Sequence, residues 1–153
     1  MNSSRSTRIA PAAIHRHVFT VSTSDLDVNG HVNNVVYVQW MQDVAILHFD
    51  AVGGSEVMRA SNAIWVARSH KIEYLKPAFA GDEALALTWV ADYRRVRSLR
   101  RYRFLRKHDK SLLAEGETDW IFVDAVSGRP KSIPDEIQSI LPIADSDAIK
   151  QPS

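Results

Sequence analysis

An α+β domain, with one long helix laid against a curved antiparallel sheet, is the architecture that this sequence predicts. Three observations predict it. The stretch Val35 to Ala51 contains neither Gly nor Pro and is apolar round most of a helical circumference, the mark of a buried helix. After it, the apolar period falls from helical to close to two, through four successive segments. Strands that follow one another in this way, instead of alternating with helices, favour an antiparallel sheet. A length of 153 residues leaves room for one ordinary core and not for two.

The elements follow in order. Met1 to Ala13 reads as a disordered tail, rich in Ser, Thr, Arg and Ala and free of acids. It lacks the apolar core of a secretory signal. The domain is expected over 14–142, and 143–153, polar and containing Pro152, as a C-terminal tail. His15 to Val21 is short and β-branched, a strand. Thr23 to His31 is dense in Ser, Asp, Asn and Gly, which mark turns. Asn33 or Asn34 is placed to cap the helix. Within it Val38, Met41, Ala45 and Phe49 form one stripe, flanked by Tyr37, Trp40, Val44 and Leu47, and Gly53-Gly54 can end it. A long strand follows, with Ile64, Val66, Ile72 and Tyr74 on one parity, up to Pro77. After the turn at Gly81-Asp82, Leu85, Leu87, Trp89, Ala91 and Tyr93 alternate with smaller or polar residues. Leu99 to Lys107 alternates in part between arginine and apolar residues, and Leu112 to Asp124 sets Trp120 and Phe122 on one parity. Ser127-Gly128-Arg129-Pro130 is a further turn, and Asp135 to Leu141 a short helix behind Pro134.

Composition removes whole classes of function. Hydrophobic residues at 45% and charged residues at 24% exclude a disordered or collagenous chain. With no cysteine there is no disulfide, thiolate zinc site or cysteine nucleophile. This also fits a reducing compartment, and a cytoplasmic location is expected. No stretch approaches the roughly 18 apolar residues of a membrane span. The formal charge of +1 hides an asymmetry. Arg94, Arg95, Arg97, Arg100, Arg101, Arg103, Arg106 and Lys107 are eight of the 19 basic residues and have no acid among them. The remainder holds eleven basic residues against 18 acidic ones. Such a run is either a solvated face that protects a sheet edge or a site for phosphate oxygens, which arginine forks suit. A nucleic-acid partner is not expected from the overall charge.

The densest polar cluster is Ser24-Asp25-Leu26-Asp27-Val28-Asn29-Gly30-His31-Val32-Asn33-Asn34. It lies directly before the buried helix, whose first amides are unpaired and carry partial positive charge. Such amides can hold an oxyanion, and a carboxylate just upstream can act as base or nucleophile on the same carbonyl. The same residues also serve capping and turns. Calcium fits poorly: Asp25, Asp27, Asn29 and Gly30 occupy EF-hand positions, but Val36 stands where the closing Glu should be. No histidine spacing suggests a transition metal, and neither Gly-x-Ser-x-Gly nor a glycine-rich phosphate loop is present. No metal is expected.

The run from Ser24 to Tyr37, followed by Trp40, resembles the signature of hotdog-fold thioesterases of the 4-hydroxybenzoyl-CoA thioesterase family, and still more that of plant acyl-ACP thioesterases. Ile72-Glu73-Tyr74-Leu75-Lys76-Pro77-Ala78, Trp120-Ile121-Phe122-Val123-Asp124 and Gly128-Arg129-Pro130 are similar to later parts of those chains, so the likeness runs from about Ile14 to Leu141. The resemblance implies a hotdog fold and a homodimer joined edge to edge, with sites at the interface, or a tetramer of two such pairs. It implies hydrolysis of an acyl-CoA, or acyl carrier protein, thioester without a separate cofactor, coenzyme A being part of the substrate. Asp27, Asn29 and His31 match the catalytic cluster, with Asp27 as base or nucleophile, while Asp25 is expected to be structural. Asn33, Asn34 and Tyr37 would contact substrate, the amides near Asn33 and Asn34 polarising its carbonyl. Arg94, Arg95 and Arg97 would meet the coenzyme phosphates. Tyr93-Arg94-Arg95 resembles the acyl-ACP enzymes, but Val96-Arg97 replaces the acid and cysteine that follow there, and those enzymes carry two hotdog repeats. A non-hydrolytic hotdog protein that binds acyl thioesters is the alternative.

Overall fold

The computed structural model describes residues 13–145. Most of the two segments expected as tails therefore lies outside the described residues. Five strands, β1 (Ile14–Thr20), β2 (Ala63–Tyr74), β3 (Glu83–Tyr93), β4 (Arg97–Arg106) and β5 (Leu112–Asp124), form one antiparallel sheet in the order β1-β3-β4-β5-β2. Helix α1 (Asn34–Ala51) lies on one face of it, followed by α2 (Gly54–Ser61) and, after β5, α3 (Asp135–Ile140). This is the expected α+β hotdog architecture. Among the described residues no helix is long and apolar enough to cross a membrane.

The helix begins where Asn33 Oδ1 accepts the Val35 N–H at 3.1 Å. It buries Tyr37, Met41, Val44, Ala45 and His48. The face is thus rotated from the expected stripe: Leu47 is 42% exposed and a histidine takes an inner position. Beneath the helix lie Ala84 and Ala86 of β3, Tyr102 and Phe104 of β4, and Leu113 and Ala114 of β5. Gly116 has no room for a side chain. A Cβ there would stand 2.9 Å from the Lys71 carbonyl and 3.0 Å from Met41 Sδ. The small residues let α1 settle close to the sheet.

Two features depart from the periodic reading. The first is α2, where only a helix terminator was expected at Gly53-Gly54. Gly53 adopts φ +85°, ending α1, and Gly54 packs under the Phe49 ring so closely that a Cβ would lie 2.4 Å from it. The second is a bulge at Arg68. The register of β2 on β5 passes from Ala67↔Trp120 to Ser69↔Asp119. One inserted residue exchanges the faces of everything beyond it. Ile64 and Val66, at 48% and 44% exposure, therefore point away from the core, whereas Ile72 packs into it. The four residues expected on one face are split between two.

β3 is buried on both faces from Ala84 to Val90. Its outer side chains Leu85, Leu87 and Trp89 form a second cluster with Leu105, Ile14, Leu112 and Ala144. Residues 143–144, placed by sequence in the C-terminal tail, dock here: Ile143 bridges Val90, and the Ala144 N–H reaches the Val90 carbonyl at 3.0 Å.

The basic run of β4 is largely neutralised across strands. Arg97 pairs with Asp119, Arg101 with Glu117, Arg103 with Glu115 and Lys107 with Glu83. These are mostly exposed pairs of small individual worth. Arg106 differs, because its side chain is only 12% exposed. It binds Asp82 Oδ2 at 3.2 Å and the Pro77 carbonyl at 2.8 Å, tying the loop between β2 and β3 to the sheet.

The close seat of α1 makes Gly116 a sensitive position. Gly116→Ala is expected to destabilise the fold by about 1–3 kcal/mol, the usual range for overpacking. Urea unfolding monitored by tryptophan fluorescence should show this as a lower midpoint at unchanged slope.

Candidate active site

The polar cluster forms a closed local structure. Ser22 and Asp25 make a capping box round the 3-10 turn Thr23–Asp25, with the Ser22 N–H donating to Asp25 Oδ2 at 3.0 Å. Asp25 is therefore used in shaping the loop, as expected of it. The loop then folds back on itself. The Asp27 N–H donates to the His31 carbonyl at 2.7 Å, and Leu26 bridges Val32. Gly30 at the tip takes φ +81°, a conformation that favours glycine. Asp27 Oδ1 accepts the N–H groups of Asn29 at 2.8 Å and His31 at 3.2 Å. Asn29 and His31 thus hold Asp27 through their backbones, and the His31 ring packs edge-on against Phe79. Oδ2 of Asp27 takes no hydrogen bond from a described residue.

The turn delivers the chain into α1. The Val32 N–H reaches the Ala78 carbonyl at 2.9 Å and the Asn33 N–H reaches the Asp25 carbonyl at 2.8 Å. Asn33 then satisfies Val35 with its side chain and Val36 with its carbonyl. The Asn34 N–H is left without an acceptor among the described residues, at the positive end of the helix.

Asp27, His31, Asn34 and Tyr37 line one cleft of about 220 Å³, together with Val32 and the segment Tyr74–Ala78. The structure thus brings four of the expected site residues into one space. Asn29 and Asn33 stand beside it as backbone and capping groups. Tyr74, Leu75 and Lys76 were not anticipated as lining residues, although they lie in a stretch that carries the family likeness. Tyr74 Oη donates to the Asn34 carbonyl at 3.1 Å, joining β2 to the start of the helix. Tyr37 is 3% exposed, and burial pushes its hydroxyl up to about 12, so it is a neutral donor at ordinary pH. That hydroxyl is buried without a hydrogen-bond partner among the described residues.

Arg94, Arg95 and Arg97 lie elsewhere. They occupy the β3–β4 hairpin, where the Arg94 N–H meets the Arg97 carbonyl at 2.7 Å and the Arg95 carbonyl accepts from Ile133 at 2.9 Å. Arg106, the other end of β4, adjoins the Asp27 cleft through Pro77, so within one protomer the hairpin is about 30 Å away. Arg94 and Arg97 are engaged by Asp92 and Asp119. No ion pair joins Arg95 to a described acid.

A larger cavity of about 380 Å³ opens at the hairpin end, under the second half of α1. Ala45, Phe49, Met58, Trp65, Tyr93 and Trp120 give it an apolar, aromatic wall, and Ser98 and Arg100 are its buried polar residues. Ala45 is eleven residues along α1 from Asn34, about 16 Å, so one protomer keeps the cleft and this cavity apart. Among the described residues no group of three or more His, Cys, Asp or Glu side chains is placed to hold a metal ion.

Solved structures share this fold. The 1,4-dihydroxy-2-naphthoyl-CoA thioesterase Slr0204 from Synechocystis superposes with a TM-score of 0.76 at 17% identity, covering 88% of this chain and 98% of that one. The DHNA-CoA thioesterase from Staphylococcus aureus gives 0.74 at 20% identity, covering 82% and 89%. The 12:0-ACP thioesterase from Umbellularia californica gives 0.78 at 15% identity, covering 99% of this chain but 60% of its own. No curated protein matches the sequence. The sequence itself matches one family over 21–141, from the residue before the Ser22 cap to the end of the segment behind α3, which takes in the whole cleft; the chain belongs to the Thioesterase-like superfamily.

Proposed function

We propose that the protein hydrolyses an acyl thioester, with coenzyme A as the preferred thiol and an acyl carrier protein as the second possibility, at a site completed by a second copy of the chain. The observation that carries this reading is the Asp27 turn. Two backbone amides fix one carboxylate oxygen and leave the other unclaimed, in a cleft that also holds the first free amide of a buried helix. The helix amide at Asn34 supports the developing oxyanion, the arrangement that acyl transfer requires. Asp27 then either activates water or attacks the carbonyl to form a mixed anhydride that water afterwards cleaves; in both routes the C–S bond breaks and the thiolate takes up the proton given up by the water, leaving free acid and thiol. The Tyr37 hydroxyl, neutral, buried and without a described partner, lies in the wall of the same cleft.

The edge of the sheet supports the proposed dimer. β2 is twelve residues long and lies at the sheet margin, with Ile64 and Val66 exposed. A strand of that length with a free edge invites pairing. A twofold antiparallel pairing of β2 with its copy would set the Ala63 end of one protomer beside the Tyr74 end of the other. Tyr74 borders the Asp27 cleft, and Ala63, Ile64 and Trp65 border the large cavity. The two parts that one chain keeps apart are thereby united: thioester at Asp27, acyl group in the partner's cavity, and coenzyme phosphates toward the partner's hairpin arginines.

Asp27→Asn preserves the oxygen that receives both amides, so the fold should stand while the carboxylate is lost. Thiol release from a panel of acyl-CoAs should fall by about a hundredfold or more; wild-type rates would contradict the role of Asp27, and a non-hydrolytic binder would show no release even before mutation. Single turnover in heavy-oxygen water separates the two routes, since label found in Asp27 indicates the anhydride. Placing lysines at Ile64 and Val66 should shift the light-scattering mass from twice that of a chain to that of one, with loss of turnover. A variant that remains dimeric would count against the β2 interface.

A further inference from the structure

Arg100 is the one member of the basic run that lies inside the protein. It is 4% exposed and forms part of the wall of the large cavity. Burial of a guanidinium is costly unless an anion faces it, and here no described carboxylate lies within ion-pair distance. Its hydrogen bonds are made by a single nitrogen: Nη1 reaches His48 Nδ1 at 2.9 Å and donates to Thr88 Oγ1 at 3.1 Å. Arginine can only donate, so His48 Nδ1 accepts and carries no proton. Both partners are therefore neutral acceptors that orient the guanidinium without balancing its charge. Thr88 Oγ1 is itself committed to the Arg101 carbonyl at 2.9 Å, and the His48 ring is stacked on His15 at 5.3 Å. The group is held in place, with Nε and Nη2 making no hydrogen bond to a described residue.

The rest of the cavity is the opposite in character. Phe49, Met58, Trp65, Val90 and Trp120 are apolar or aromatic, and the Tyr93 hydroxyl is turned to the Leu141 carbonyl at 2.7 Å. The only carboxylate among the described lining residues, Asp50, is on the exposed face of α1 and is occupied by the Ser55 hydroxyl. A pocket with greasy walls and one oriented buried cation suits a ligand with an apolar body and an anionic end.

We infer that Arg100 selects acyl groups that end in a carboxylate, so that the substrates are half-thioesters of dicarboxylic acids with a hydrocarbon or aryl body. This rests on the thioesterase reading and supplies its substrate class. The terminal carboxylate would meet the free nitrogens of Arg100, the body would fill the aromatic cavity, and the thioester would emerge toward the partner's Asp27. Hydrolysis would then release a free dicarboxylate and a thiol. The reaction supplying such a substrate is one that ligates, or oxidatively generates, a dicarboxylic acid as its mono-thioester.

The test compares adipyl-CoA with hexanoyl-CoA, which differ only in the terminal carboxylate. In the wild-type dimer, kcat/KM should favour adipyl-CoA by on the order of tenfold to a hundredfold, the worth of a charge-assisted bond in a buried site. Arg100→Met should collapse that ratio toward or below one, and Arg100→Lys should restore part of it. Equal use of the two thioesters by the wild type, or a ratio unmoved by Arg100→Met in a protein with native circular dichroism, would overturn the inference. Should neither thioester be hydrolysed, the thioesterase reading fails by itself, and adipate decides the pocket. A rise in melting temperature with adipate, absent with hexanoate, reduced in the folded Arg100→Lys protein and lost in the folded Arg100→Met protein, supports the assignment; no difference between the two acids refutes it.

Discussion

The depth at which α1 sits on the sheet controls the remainder of the molecule. Ala84, Ala86, Ala114 and Gly116 make a shallow floor, and Met41 descends until its sulfur would stand 3.0 Å from a Cβ placed on Gly116. A helix is a rigid rod over its 18 residues. Fixing its middle therefore fixes both ends. Its first amide is carried to the cleft beside Asp27, and its last two turns form the roof of the aromatic cavity. Larger residues in the floor would lift both sites together.

The Asp27 loop is held by contacts that are local and by others that are distant. The Asp27 turn closes on itself through Asn29 and His31, so its shape is written within five residues. Its position is set from further away. Val32 is bonded to Ala78, the segment containing Ala78 is bonded through Pro77 to Arg106, and Arg106 is half enclosed by Asp82 and Asp109. Arg106 thus serves as a clamp between β4 and the loop that borders the cleft. One basic run is in this way divided among cross-strand pairing, a clamp and a buried cation, functions that its charge alone does not separate.

What could be read from sequence was what neighbouring residues determine. The helix, the cap at Asn33, the turn at Asp27 and the antiparallel character of the later strands all depend on residues within a few positions of one another. The family likeness then joined them into a hotdog. The failures are those of long range. The bulge at Arg68 depends on how β2 meets β5, and it moved Ile64 and Val66 to the other face from Ile72. Helix α2 follows a glycine pair that reads as a stop, and it forms because Val57 is buried against Phe122 and Ile137. His48 lies in the helix interior because Arg100, 52 positions away, donates to it. The cavity itself is assembled from α1, α2 and four strands, and no segment by itself announces it.

In the proposed dimer, Asp27 of one protomer works on an acyl group seated in the cavity of the other. Mixed dimers test it most directly. Asp27→Asn lacks the carboxylate, and Ala45→Phe fills the cavity; each homodimer should be inactive. Co-expressed with different affinity tags and purified through both, their heterodimer contains one site in which an intact Asp27 faces an intact cavity. It should therefore regain about half the wild-type rate per dimer, as the symmetry of the shared interface requires. A purified heterodimer as inactive as its parents would contradict a site shared between protomers.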